Sequence, residues 1–210
     1  MGPGRTGSVR AMELSEAIRR RRMTRNFTGR PLGSGLVDQL LEQALRAPSA
    51  GNTQGREFVV LEGPEQTARY WEATTDPAWR ARSTRFGGLS RAPVVVLPFT
   101  DPDSYAARYR EPDKLHPDHE EVAWVVPFWF VDAGFAVITL LLGAADAGIG
   151  AAFLGNFRGE EALRTELGVP DRLRWLGAVL LGEAGEPDLP SSSSTRPRRT
   201  LADSVHRDGW

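Results

Sequence analysis

Apolar residues along this chain recur with two different periods. Leu36, Val37, Leu40, Leu41, Ala44 and Leu45 return every three or four positions, which predicts a helix with one apolar face. Ser34 is placed to cap its start. Pro48, which lacks an amide donor and pushes Ala47 out of helical geometry, ends it. A turn of small and amide-bearing side chains follows, and the β-branched run Glu57 to Leu61 then predicts a buried strand. Leu14 to Arg22 predicts an earlier helix with Leu14, Ala17 and Ile18 on its inner face. Further on, Pro64 suits the first turn of a helix that continues over Gln66 to Ala73, and Pro93 to Phe99 predicts another strand. Residues 75–92 read as irregular with Gly87-Gly88 as a hinge, and 101–121 as a long polar surface excursion. Glu160 to Leu167 is a helix closed by Gly168, with Pro170 beyond it. Trp175 to Gly182 is a strand, and Pro190 to Ser194 a low-complexity loop.

The most apolar stretch, Val122 to Gly150, approaches the length of about 20 residues that a membrane span needs. Asp132 would then lie near the bilayer centre, at a cost of about 2.5–3.5 kcal/mol. No flanking cluster of lysine or arginine orients a span. The pattern is better read as a core helix from about Trp129 to Ala147, buried on most sides as in the centre of a dimer and ended by Gly148-Ile-Gly150. Residues 151–157 are small and apolar.

Composition narrows the chemistry. The chain has 210 residues, 40% hydrophobic content and a net charge of −1, so one core can form and no global field draws it to nucleic acid or membrane. It has no cysteine, which excludes disulfides, thiolate nucleophiles and cysteine-ligated clusters; any redox chemistry must come from a bound cofactor. A cytoplasmic setting is compatible with that. Residues 1–11 carry no continuous apolar run and read as a disordered tail rather than a secretory signal, leaving 12–210 as a single domain.

Lys114 is the only lysine, so clusters of arginine can arise from coding bias alone. Residues 1–30 nevertheless hold eight arginines against two glutamates, and 196–199 add three more. Such segments form either a solvated basic face or, if folding joins them, a fork-donor site for an organic phosphate. The corner at 48–54, with Ser49, Asn52 and Gln54, offers hydrogen bonds with little bulk and suits a flat ligand with polar edges. His116-Pro-Asp-His119-Glu-Glu121 has ligand types for zinc or iron but follows no closed spacing and reads as solvated loop.

Several of these segments share one pattern. Arg21-Arg-Met-Thr-Arg25 with Phe27, Ala47-Pro-Ser-Ala-Gly-Asn52 with Gln54 and Phe58, Asp132 with the hydrophobic helix, Gly148-Ile-Gly150, Gly177 to Gly182 and Arg196-Pro-Arg198 occur in that order. Over nearly all of the chain after residue 12 this resembles the FMN-dependent nitroreductase family. The resemblance implies an α+β fold: a central, mostly antiparallel sheet flanked by helices, in an intertwined homodimer with FMN at the subunit interface. It implies that Arg21, Arg22, Met23 and Arg25 lie against FMN, with Arg21 and Arg25 on its phosphate and ribityl chain. Arg196 and Arg198 would close on the same phosphate. Pro48, Ser49, Ala50, Asn52 and Gln54 would form the loop that the second subunit brings to the isoalloxazine ring. Leu154 and Gly155 would present a backbone amide to the flavin, and Asp132 would lie nearby or else serve as a paired carboxylate among helices.

The implied reaction is hydride transfer from NADH or NADPH through FMN to a nitroaromatic, quinone or similar small acceptor, in ping-pong order. No separate catalytic side chain, metal, nucleic acid or membrane is required. The other reading is a flavin-binding protein without nicotinamide turnover, either a carrier or one that consumes reduced flavin with oxygen. Two departures stand out: Met23 occupies a position where relatives commonly have serine, and Gly55-Arg56 replaces a proline and an aromatic residue. The second change predicts a pocket wall that loses a ring and gains a cation.

Overall fold

The computed structural model describes residues 12–115, 124–187 and 195–210. The expected tail 1–11, the His116–Glu121 stretch and the loop 190–194 lie outside the described residues. The fold is a mixed α+β arrangement around one antiparallel sheet. Its spine is β2 (Val94–Thr100), buried at all seven positions. On one side β1 (Arg56–Glu62) runs antiparallel to it, with Arg56 opposite Thr100 and Glu62 opposite Val94. On the other side β5 (Ala178–Gly182) pairs with Val94–Val96, and β3 (Gly150–Leu154) pairs antiparallel with β5. A short β4 (Arg174–Trp175) pairs with Phe99 and Thr100. Pro98 falls in the gap between the β5 and β4 pairings, where its missing amide removes no ladder bond on that side.

The two-residue strand period divides β2 between two cores. Val95, Leu97 and Phe99 join Phe27, Leu163 and Trp175 beneath α3 (Pro64–Thr74) and α8 (Glu160–Leu167). Val94 and Val96 join Leu40, Leu140 and Val179 beneath α2 (Leu36–Leu45) and α7 (Phe128–Asp146). Pro64 and Gly168 bound α3 and α8 as their sequences predict, and Gly148 follows the end of α7 with a φ of 72°.

Other expectations need correction. Ser34 does not cap α2; Gly35, in left-handed geometry, precedes it without a side-chain cap. The first helix, α1 (Leu14–Arg20), is shorter than expected, and of its apolar residues only Ala17 is buried, while Leu14 and Ile18 remain exposed. β1 is an edge strand and only partly buried. Residues 75–92 contain α4 (Pro77–Arg82), capped by Asp76 accepting from the Trp79 amide, and α5 (Phe86–Leu89). The polar excursion contains α6 (Pro102–Arg108), capped by Asp101 and anchored by Tyr105, which is fully buried.

The strand expected over 175–182 is broken at Gly177. Its φ is 141°, and a Cβ there would lie 2.3 Å from the Leu154 carbonyl oxygen. α7 is long and apolar enough to cross a membrane by length and composition alone. It is not buried on most sides, however: Phe128, Phe135 and Ile138 remain substantially exposed. Gly177→Ala should destabilise the protein by about 1–3 kcal/mol in urea unfolding through this overpacking against backbone; an unchanged midpoint would show that β3 can yield.

Candidate functional site

The corner at 48–54 is held in an uncommon backbone shape. Gly51, Asn52 and Gln54 have φ of 62°, 54° and 57° around a 3-10 turn, Ala50–Asn52. Two of these are non-glycine residues, whose left-handed geometry persists where surrounding contacts over-determine it. Those contacts are present. Ser49 Oγ accepts from the Gln54 amide at 3.0 Å, and Thr53 Oγ1 donates to the Ala50 carbonyl at 2.6 Å. Gln54 Nε2 donates to Asn52 Oδ1 at 3.3 Å, and Arg108 Nε donates to the Gly51 carbonyl at 2.8 Å.

Beneath the corner lies Asp132, in the first turns of α7 and 2% exposed. Its Oδ2 accepts from the Ala50 amide at 2.7 Å and from the Tyr105 hydroxyl at 2.7 Å. Asp132 thus ties the corner to α6 and α7 from below. Burial first, and then the neighbouring Asp132 carboxylate, raise the Tyr105 hydroxyl well above its ordinary titration range. Gly55 is what admits that ring: a Cβ there would lie 2.8 Å from Tyr105 Cε2.

Arg56 is not a cation in a pocket wall, which corrects that expectation. It is buried, and its guanidinium donates to the carbonyls of Leu45 at 2.7 Å, Ala47 at 2.6 Å and Pro48 at 3.3 Å. The Leu45 carbonyl is one that the end of α2 leaves without a helical partner, and the other two belong to the turn that follows it. Pro48, Ser49, Ala50, Asn52, Gln54 and Asp132 thus form one rigid unit.

The arginine-rich stretch lies along β3. Met23 forms a parallel bridge to Ala151, its sulfur accepts from the Phe153 amide at 3.4 Å, and it packs against both cores. Around this anchor the cations separate. Arg21 and Arg22 line a cleft of about 280 Å³ with Gly148, Ile149 and Gly150. Arg25 lines a second, of about 400 Å³, with Thr84, Arg85, Gly87 and Arg91. Arg85 and Arg91 were not singled out by the sequence, since an arginine-biased chain gives no signal that marks them. Arg91 is positioned by donating to the Phe27 carbonyl at 2.8 Å and to Asn26 Oδ1 at 2.6 Å.

Leu154 and Gly155 end the strand that Met23 bridges, with Gly155 exposed. Arg196 and Arg198 are exposed in the described segment 195–210 and line neither cleft. Among the described residues the guanidinium groups of Arg21, Arg196 and Arg198 make no hydrogen bond or ion pair; no described contact joins the two arginine segments. No cluster of His, Cys, Asp and Glu able to hold a metal occurs among the described residues.

This corner, the buried carboxylate and the basic strand-side clefts sit on the fold of an oxidoreductase family. Residues 18–183 match the model of the Nitroreductase family, and the chain belongs to that family. A protein of Archaeoglobus fulgidus named "Putative NADH dehydrogenase/NAD(P)H nitroreductase" is 28% identical over 203 residues, covering 94% of this chain and 99% of that one. Among solved structures, a nitroreductase-fold protein from Exiguobacterium sibiricum 255-15 in complex with FMN aligns with a TM-score of 0.71 and 20% identity, over 93% of this chain and 97% of that one. A nitroreductase family protein from Streptococcus pneumoniae TIGR4 aligns with a TM-score of 0.69 and 21% identity, over 93% and 100%.

The buried tyrosines set an alkaline limit on stability. Burial pushes the Tyr70 hydroxyl up to about 12 from its ordinary value of 10.0, and Tyr105 is raised as well. A native pKa above the unfolded one means that the native state holds its proton longer. Stability is therefore full below about pH 10 and falls as pH rises from there through the native values, by at most about 1.4 kcal/mol per pH unit for each tyrosine. Urea unfolding at several pH values should show this fall, and Tyr70→Phe and Tyr105→Phe should each flatten it; an unchanged slope in both would refute the assignment.

Proposed function

We propose that this chain is an FMN-dependent oxidoreductase that accepts hydride from NADH or NADPH and reduces a small acceptor such as a nitroaromatic or quinone, in ping-pong order. The single observation behind this reading is the Arg21 guanidinium, which has no hydrogen-bond or ion-pair partner among the described residues and lines a cleft beside β3, within a chain of the Nitroreductase family. Cations without carboxylate partners are the donor set that a phosphate near −2 requires. Arg21 and Arg25 would hold the FMN phosphate and ribityl chain, with Arg22 beside them. Arg196 and Arg198 would close on the phosphate from the C-terminal segment. The FMN complex of the Exiguobacterium sibiricum protein supports FMN as the cofactor, and the name of the Archaeoglobus fulgidus protein supports a nicotinamide donor.

Bound FMN would supply the two-electron chemistry, and the protein binding, orientation and exclusion of water. Leu154 and Gly155 would offer backbone to the ring. The corner of Pro48, Ser49, Ala50, Asn52 and Gln54, held by Asp132, would meet the ring from a second copy of the chain. Met23 contributes packing rather than a hydroxyl, so the arginines carry more of the affinity.

A second copy also accounts for the surfaces left open. Leu14 and Ile18 of α1, Phe135 and Ile138 of α7, and Leu201 and Trp210 near the C-terminus are all exposed in one chain. Apolar surface of this kind marks an interface. We therefore propose a homodimer, with residues 12–210 as one domain, acting on a small molecule rather than on nucleic acid or membrane.

Purified protein should be yellow, elute as a dimer, bleach with NADH or NADPH under argon and recover its colour on addition of a nitroaromatic. Protein that stays oxidised with both nicotinamides would favour a flavin carrier or an oxygen-consuming flavoprotein instead. Arg21→Ala and Arg198→Ala should each weaken FMN by about 1.5–3 kcal/mol, the worth of one charge-assisted contact, and purify largely colourless. Full occupancy in both variants would remove them from the phosphate site.

A further inference from the structure

Tyr105, Tyr109, Trp124 and Trp129 form one connected group of oxidisable rings against the 48–54 corner. Trp124 stands at its centre, with centroids 4.7 Å from Tyr109, 5.9 Å from Trp129 and 6.3 Å from Tyr105. Trp129 also meets Tyr105 at 6.3 Å. The group reaches the corner at two points. Tyr105 Cε2 lies 2.8 Å from where a Cβ on Gly55 would stand, and Tyr109 Cε2 lies 3.0 Å from the same position on Gly51. Edge-on packing explains why such rings gather in a core. It does not explain the polar end of Tyr105, which is fully buried yet donates its proton to a charged group.

The rings are unequal resting places for an oxidising equivalent. A phenol that loses an electron becomes a very strong acid, so a tyrosine is readily oxidised only where its proton has an acceptor within reach. Of the chain's three tyrosines, only Tyr105 has a carboxylate at its hydroxyl among the described residues, with Asp132 Oδ2 at 2.7 Å. Burial and that carboxylate keep Tyr105 in its O–H form, so the donor is aligned on its acceptor in advance; the Arg56 cation acts in the opposite sense, more weakly. Tyr109 is disfavoured instead. The Lys114 ammonium lies 6.0 Å from its ring centroid and opposes removal of an electron from that ring. Tyr70 is buried away from this group and its hydroxyl is paired with Thr74.

We infer that Tyr105 is a redox-active tyrosine that traps single oxidising equivalents from one-electron oxidants, with Trp124 and Trp129 as relays and Asp132 as proton acceptor. The oxidant takes one electron from the group and is reduced by one electron. The Tyr105 O–H bond breaks, its proton moves to Asp132 Oδ2, and a neutral tyrosyl radical remains. A small reductant of the ascorbate class returns the electron, and the proton passes back from Asp132 to the tyrosine oxygen. The pair goes from one negative charge to none, so the buried site is left with no uncompensated charge. A photoexcited flavin belongs to this class of oxidant, but the trap goes beyond the reductase reading and stands without it.

The test is flash-quench oxidation of the purified protein with photogenerated ruthenium(III) tris-bipyridine, read by electron paramagnetic resonance. A neutral tyrosyl radical should form, and form more slowly in deuterated water. Tyr105→Phe should abolish it and leave a tryptophan radical, whereas Tyr109→Phe and Tyr70→Phe should retain it. Asp132→Asn, which keeps the shape and removes the proton acceptor, should also leave the radical on tryptophan. Tyr105→Phe keeps the packing of the ring and decides the question even if Asp132→Asn disturbs the corner. A wild-type protein giving only tryptophan radical, a tyrosyl signal of full size in Tyr105→Phe or Asp132→Asn, or its loss in Tyr109→Phe would overturn the inference. Neither nicotinamide nor turnover enters the measurement, so its failure is distinct from failure of the reductase reading.

Discussion

One buried carboxylate joins parts of the chain that are far apart in sequence. Asp132 projects from an otherwise apolar helix and accepts two hydrogen bonds at 2.7 Å, from the amide of Ala50 and the hydroxyl of Tyr105. A charge moved out of water is expensive unless its acceptor sites are filled, and breaking such a set leaves that cost uncompensated. The arrangement is therefore stable only when α7, α6 and the 48–54 corner are assembled together. The left-handed geometry of Gln54, unusual for that side chain, is held within the same corner by the Ser49 hydroxyl accepting from its amide. Rigidity at this corner is what a ligand-facing loop needs, since a pre-ordered loop adds no ordering cost on binding.

The substitutions at Gly55 and Arg56 follow the same logic. Gly55 leaves room for the Tyr105 ring to reach Asp132. Arg56 spends its charge on the carbonyls ending α2, where the helix dipole is negative, so one guanidinium does the work of a helix cap and a loop brace. Its Nε remains buried with no acceptor among the described residues, a local cost set against several charge-assisted bonds. Read as a string, Gly-Arg looks like a pocket change; folded, it is a packing change behind the pocket.

That contrast shows which features were legible in the sequence. The periodic segments were: α2, α3, α7, α8 and the cores of β1 and β2 follow from apolar spacing and from where proline and glycine stand. The 48–54 corner was visible as well, because its small amide residues sit between a helix stop and a strand. What stayed hidden were elements defined by long-range burial. α6 lies in a polar, proline-bearing stretch, and only folding reveals that Tyr105 is its anchor. α4 and α5 are short and carry little periodicity, so their helicity could not be read locally. Arg85 and Arg91 were lost in a chain where arginine is the default cation.

The same physics underlies the homodimer proposed above. α7 buries one apolar face against α2 and the sheet, yet leaves Phe135 and Ile138 in water, while Leu14 and Ile18 of α1 are also uncovered. A helix apolar on most of its circumference gains stability only if both faces lose water, at about 25 cal/mol per Å². The cations show a matching deficit, since Arg21 and the C-terminal pair Arg196 and Arg198 lack counter-charges among the described residues. Uncovered apolar area calls for another protein surface, whereas uncovered cationic groups call for an anion. A second copy that brings a C-terminal arm to the first, with a phosphate held between the arginine segments, answers both demands in one assembly. The two deficits are then linked, because the phosphate would lower the repulsion that otherwise keeps the arginine segments apart, and closing the apolar contact would raise the local density of guanidinium donors around it.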